Sequence, residues 1–132
     1  MKYLLDVSTL VAWGWIDHDY YSIVDHWVAR ESKKEHVLFL TSPIAELGFV
    51  RISMQRDKSI SLQEATKMLH KILHALAPSH RFLPDDLAIG NWPSWCTNAS
   101  QTTDAHLLLL AKKHGAQLAT LDRKIPGAFL IR

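Results

Sequence analysis

An α/β fold, with a mainly parallel sheet held between helical layers, is predicted by three features of this 132-residue chain. Short apolar runs that end in polar or acidic residues alternate with longer segments of helical period. The boundaries of those longer segments carry capping and stop signals. No internal repeat, heptad series or low-complexity tract competes with the alternation. One domain over residues 1–132 follows, because the length is near the modal domain size and 48 % hydrophobic content can build one core.

Tyr3-Leu4-Leu5 before Asp6 reads as a short buried strand. Ser8 or Thr9 can cap the helix that follows, which carries Leu10, Val11, Trp13 and Trp15. Asp17-His18-Asp19 should end or expose it, and Ile23, Val24, Trp27 and Val28 recur at helical spacing in a second helix. After the charged run from Arg30 to Glu35, Val37-Leu38-Phe39-Leu40 reads as the second strand.

Ser42-Pro43 combines a capping hydroxyl with proline at the first helical position, so a third helix starts there with Glu46 in its first turns. Ser59 or Ser61 opens a fourth, with Ala65, Met68, Leu69, Ile72, Leu73 and Leu76 as its apolar stripe and Pro78 as its stop. Phe82-Leu83 before Pro84 is expected as a third strand. Gly90 to Ser100 has turn residues and no period, which predicts a loop with at most one helical turn. Thr102-Thr103-Asp104 leads into a helix that Gly115 ends, followed by a strand at Gln117-Leu118-Ala119-Thr120 before Asp122. Phe129-Leu130-Ile131 is the last strand.

The formal charge is +2 with eight histidines and a pI near 8.8, a mildly basic balance that permits nucleic-acid binding without requiring it. Cys96 is the single cysteine, which excludes an internal disulfide and fits a reduced cytoplasm. The apolar stretch before Asp6 is too brief for a signal peptide, and no run approaches the roughly 18 apolar residues of a membrane helix. A soluble, unprocessed protein with no membrane partner is expected.

Asp6, Glu46, Asp104 and Asp122 carry the functional signal. In an open parallel sheet, ligands lie beyond the carboxyl ends of the strands, where Asp6 and Asp122 stand. Glu46 and Asp104 lie near helix starts that can face the same edge. Each acid alone has an ordinary reading: Asp104 can favour a helix N-terminus, and Asp122 suits a turn. Together they would form an anionic pocket that repels itself unless cations neutralise it. Hard oxygen donors point to Mg2+ or Mn2+.

Leu4-Leu5-Asp6-Val7-Ser8, Glu46-Leu47-Gly48-Phe49-Val50-Arg51, Thr103-Asp104-Ala105-His106-Leu107-Leu108 and Leu118-Ala119-Thr120-Leu121-Asp122 resemble the four acidic motifs of PIN-domain nucleases, in order and across almost the whole chain. More narrowly, Glu46-Leu47-Gly48-Phe49-Val50-Arg51 and Pro84-Asp85-Asp86 resemble segments of the VapC-type ribonuclease toxins of toxin–antitoxin pairs. The resemblance implies a three-layer α/β/α domain that hydrolyses RNA with a divalent metal. Asp6 and Asp104 would be the principal ligands, with Glu46 and Asp122 completing the site directly or through water. Ser8 would support Asp6 and contact the scissile region, and Arg51 is a candidate substrate contact. The resemblance further implies a homodimer and a cognate antitoxin that covers the groove. Many PIN domains carry another aspartate two residues past the position of Asp122, and Lys124 stands there in this chain, which weakens the case for a second metal.

Other features carry less. His70 and His74 share a helix face at metal-binding spacing, but no His-Glu-x-x-His pattern completes them, so an exposed face is expected. His106 is expected at the surface. Trp13, Trp15 and Trp27 fall in helical runs and are expected to pack, whereas Trp92 and Trp95 can either stack RNA bases or pin their loop to the core. Arg51 and Arg56 are the cations to test first, because they follow Glu46 in the same helix. Two other function classes compete. A haloacid-dehalogenase-like phosphatase would use Asp6 as nucleophile, although Ser8 stands where its second aspartate is usual. A non-catalytic RNA-binding or receiver-like module would keep the acidic pocket without cleavage.

Overall fold

The computed structural model describes residues 1–132 as an α/β domain with the element order predicted above. The first strand, β1 (Lys2–Leu5), leads through Asp6 into α1 (Val7–Gly14), and α2 (Tyr21–Glu31) returns the chain to β2 (Leu38–Thr41). Then come α3 (Pro43–Arg56), α4 (Leu62–Leu76) and the short β3 (His80–Phe82). A 3₁₀ turn at Ala99–Gln101 precedes α5 (Thr102–Lys113), β4 (Gln117–Thr120) and β5 (Phe129–Leu130). All strand pairs are parallel and the order is β3-β2-β1-β4-β5.

Local sequence explains most of the boundaries. The Ser42 hydroxyl accepts the Ala45 amide at the start of α3, and Pro43 needs no donor there. Ser61 and Glu64 form a reciprocal capping box on α4. The start of α1 differs from expectation. Asp6, rather than Ser8 or Thr9, is the cap, its carboxylate accepting the Thr9 amide at 2.9 Å. A carboxylate at the end of a buried strand can thus serve the next helix and still keep an oxygen for other partners. The third strand also lies earlier than expected, at His80–Phe82 instead of Phe82-Leu83, because an edge strand paired only with β2 is defined by backbone bonds and not by burial.

Two apolar clusters pack against the sheet. One joins Tyr3, Leu10, Trp27, Phe39, Phe49 and Leu69 among others, and the second joins Leu4, Leu40 and Leu118 with Leu107, Leu108, Leu110 and Ala111 of α5. Helices α1 and α3 approach closely through glycine. A Cβ on Gly14 would lie 2.5 Å from the Phe49 ring, and one on Gly48 would lie 2.7 Å from the Val7 side chain. The second contact holds the start of α3 against the residue that follows Asp6. No helix is long and apolar enough to cross a membrane.

Candidate active site

The carboxyl ends of the central strands β1 and β4 are neighbours, with Leu5 paired to Ala119, so Asp6 and Thr120 emerge side by side. Asp6 is 2 % exposed, and both its oxygens are held. Oδ1 accepts the Ser8 hydroxyl at 3.0 Å and the Thr9 amide, and Oδ2 accepts the Thr120 hydroxyl. The same Thr120 oxygen accepts the Asp122 amide at 3.0 Å, so one hydroxyl ties the first aspartate to the backbone of the last. Asp122 in turn accepts the Lys124 amide at 2.9 Å, a tight turn that leaves the Lys124 side chain exposed.

Asp104, in the first turn of α5, completes a cluster of three carboxylates around one cavity of about 560 Å³. Val7, Val11, Ile52 and Leu121 give the cavity an apolar floor, and Ser8, Arg51, His18 and Tyr20 also line it. Burial, then the nearby charges of Asp6 and Asp122, push the Asp104 carboxyl up to about 6. Burial also raises the Asp6 carboxyl, against the hydrogen bonds from Thr120, Thr9 and Ser8 that favour its ionised form. None of the three carboxylates forms an ion pair with a lysine, arginine or histidine of the chain.

This donor set fits a hard divalent cation: it is all oxygen, anionic, partly desolvated and uncompensated by protein cations. No three acidic, histidine or cysteine side chains close into a ready-made cage. An open arrangement suits an ion such as Mg2+, which keeps several of its waters.

Of the six residues expected at the site, Asp6, Asp104, Asp122, Ser8 and Arg51 line this cavity, and Glu46 does not. Glu46 accepts the Thr41 hydroxyl at 2.7 Å, and that hydroxyl also lies 2.7 Å from His80 Nε2. Because Thr41 has a single proton to donate, His80 is the donor in the second bond. Glu46 is thereby held toward β3. Arg56 also falls outside the cavity, paired with Asp17 at 3.3 Å and lying over the Trp15 ring.

His106 is a correction. It is 5 % exposed instead of superficial, with Nε2 2.7 Å from an Asp85 oxygen, so Pro84-Asp85-Asp86 is a strap fastened to α5. His70 and His74 are exposed on α4, as expected. The two loop tryptophans separate: Trp95 packs on the second core cluster, whereas Trp92 is exposed beside a different cavity. His18 and Tyr20, from the segment between α1 and α2, also line the acidic cavity. The available signal was an aromatic in a short polar break between two helices.

No family model matches the chain. It is 33 % identical over 127 residues to ribonuclease VapC39 of Mycobacterium tuberculosis, covering 92 % of this chain and 89 % of that protein. With ribonuclease VapC38 of the same organism it shares 34 % identity over 123 residues, covering 90 % of this chain and 84 % of the relative. Among solved structures it matches VapBC2 from Rickettsia felis bound to a DNA fragment from their promoter, with a TM-score of 0.59 over 98 % of this chain and 97 % of that one. At 14 % identity, that match is a likeness of fold.

Proposed function

The chain belongs to the VapC ribonucleases, the nuclease toxins of toxin–antitoxin pairs, and from that premise we propose that it hydrolyses RNA phosphodiesters with Mg2+ or Mn2+ held by Asp6, Asp104 and Asp122. The observation that carries the metal is the uncompensated cluster itself: three carboxylates share one cavity, and burial, with repulsion from Asp6 and Asp122, lifts Asp104 to about 6. Held by Asp6, Asp104 and Asp122, a divalent ion would supply a water of lowered pKa and charge stabilisation for the departing oxygen.

The protein's own part is geometry. Thr9, Ser8 and Thr120 fix the Asp6 carboxylate, and the Thr120 bond to the Asp122 amide sets its distance from the third acid. Arg51, on the same cavity, offers a cation for a non-bridging phosphate oxygen. Glu46, held by Thr41 outside the cavity, would take part only indirectly. Protons compete with the cation for Asp104, whose metal-free carboxyl is pushed up to about 6, so more Mg2+ is expected to be needed for half-maximal cleavage as pH falls below that value.

Partners follow the same reading: single-stranded regions of RNA as substrate, a cognate antitoxin, a second copy of the chain, and a cytoplasmic setting. The phosphatase alternative fits poorly, since the position two residues after Asp6, where such enzymes usually carry a second aspartate as acid and base, holds Ser8, which donates to Asp6 instead.

The test uses protein freed of antitoxin and supplied with Mg2+ or Mn2+ against a broad panel of cellular RNA. Cleavage by the wild type and none by Asp104→Asn is expected. Absence of any cleavage sinks the proposal, and equal cleavage by both proteins assigns it to a contaminant.

A further inference from the structure

We infer that the acidic cavity opens into a nucleotide-binding groove, in which Tyr20 stacks an unpaired base next to the scissile phosphate and Arg123, with Arg132, carries the flanking phosphates. The inference rests on the ribonuclease reading above and names how that site grips its substrate.

Tyr20 and Leu121 each line two cavities, the acidic one of about 560 Å³ and a second of about 710 Å³ that Ile23, Arg123, Leu130, Ile131 and Arg132 complete. The two spaces therefore share a wall made of one aromatic and one aliphatic side chain. Consecutive residues divide between them, Asp122 on the acidic cavity and Arg123 on the second. Charge changes sign across that wall, from three carboxylates with one guanidinium, Arg51, to the two guanidiniums of Arg123 and Arg132, neither of which is held in an ion pair.

Tyr20 is 52 % exposed at this boundary, so its ring is open to a ligand. Its position is not loose. The Tyr20 amide donates to His18 Nδ1 at 3.0 Å, and the two rings lie 6.0 Å apart. With Nδ1 accepting, the neutral His18 ring carries its proton on Nε2, and this side chain lines the acidic cavity, where that donor would suit a ribose or phosphate oxygen. A single-stranded nucleic acid needs this combination, an aromatic face for a base and cations spaced along the backbone. A purely protein-binding groove would not need the sign change to fall between a catalytic cavity and the next one.

The test measures binding of a short, mixed-sequence, single-stranded RNA by fluorescence anisotropy, on antitoxin-free Asp104→Asn protein so that the RNA survives. Tyr20→Ala in that background is expected to weaken binding about tenfold, and Tyr20→Phe to retain it. Arg123→Ala is expected to reduce the salt dependence of log affinity by about 0.7. In the cleavage-competent protein, Tyr20→Ala should raise KM about tenfold with kcat within roughly twofold, a split that a folding defect would not produce. Unchanged RNA affinity and KM in Tyr20→Ala, while the wild type still cleaves, overturns the groove alone. Loss of antitoxin binding with RNA binding intact also overturns it, by assigning the surface to a protein partner. A wild type that neither binds nor cleaves RNA removes the ribonuclease reading and this inference with it.

Discussion

At two strand ends the chain places a threonine whose hydroxyl donates to a carboxylate, and the two arrangements differ in what the threonine touches next. At the end of β4, Thr120 donates to Asp6 and accepts the Asp122 amide, so its partners are both acids of the central cavity. At the end of β2, Thr41 donates to Glu46 and accepts from His80, so its carboxylate is drawn toward β3 and outside that cavity. The electrostatics follow. Asp104 feels the charges of Asp6 and Asp122, while the Glu46 charge acts on His80, opposing the burial that lowers that imidazole. An acid held by a strand-end threonine is therefore not by itself a site residue. The second partner of the threonine hydroxyl marks which way the acid faces.

The largest effect that would sharpen this contrast is expected from Asp104→Asn, which removes a proposed ligand. Its loss of cleavage should exceed the roughly 10–100-fold that follows from removing outer-shell partners of a metal site. A residual activity within tenfold of wild type would break the contrast at its stronger end. Thr120→Val comes next, at roughly 10–100-fold, because it frees Asp6 and Asp122 together; Thr120→Ser should restore most of the rate. A valine variant as active as wild type would show that the shared hydroxyl does not position the acids. Glu46→Gln is expected to cost about tenfold, the low end of the outer-shell range. If it matched Asp104→Asn instead, Glu46 would have to swing off Thr41 into the cavity when cation and RNA bind, and the two centres would be equivalent.

The smallest effect is on stability. Asp104 ionises at about 6 in the fold against an ordinary 3.8, so the folded state binds the proton more tightly than the unfolded chain does. The resulting destabilisation is absent below about 4, grows as pH rises, and is complete above about 6. Metal-free Asp104→Asn should thus melt above wild type at neutral pH and lose that advantage near pH 4. Added Mg2+ should raise the wild-type melting temperature and leave the variant's unchanged. A variant that melts lower than wild type at neutral pH would mean that Asp104 makes a stabilising contact that outweighs the repulsion.

Several parts of this architecture were legible in the chain. The alternation of apolar runs and amphipathic segments predicted a parallel sheet between helices, and Ser42-Pro43 and Ser61 marked helix starts that the structure contains. These are local effects, in which a residue and its neighbours within a few positions satisfy the same backbone donors. The exchange of Asp6 for Ser8 or Thr9 as the cap shows the limit even there: both residue types can accept an amide, and position relative to the strand end chose between them.

Burial of His106, the separation of Trp92 from Trp95 and the role of Gly48 depend on segments distant in sequence. His106 is buried because Asp85 arrives from the loop before the helix, and Gly48 is needed because Val7 occupies the space of a side chain.

By itself, the sequence determined that strands and helices alternate and that Asp6 and Asp122 stand at strand ends with Asp104 at a helix start, since period, capping and turn chemistry are properties of short segments. Only the tertiary structure decided that these three share a cavity, that Glu46 turns to Thr41 and His80, and that Tyr20 stands between an acidic and a basic space. The physical reason is that a side chain's direction is chosen by the donors, charges and volumes that other segments bring to it, and those meet only when the sheet is assembled.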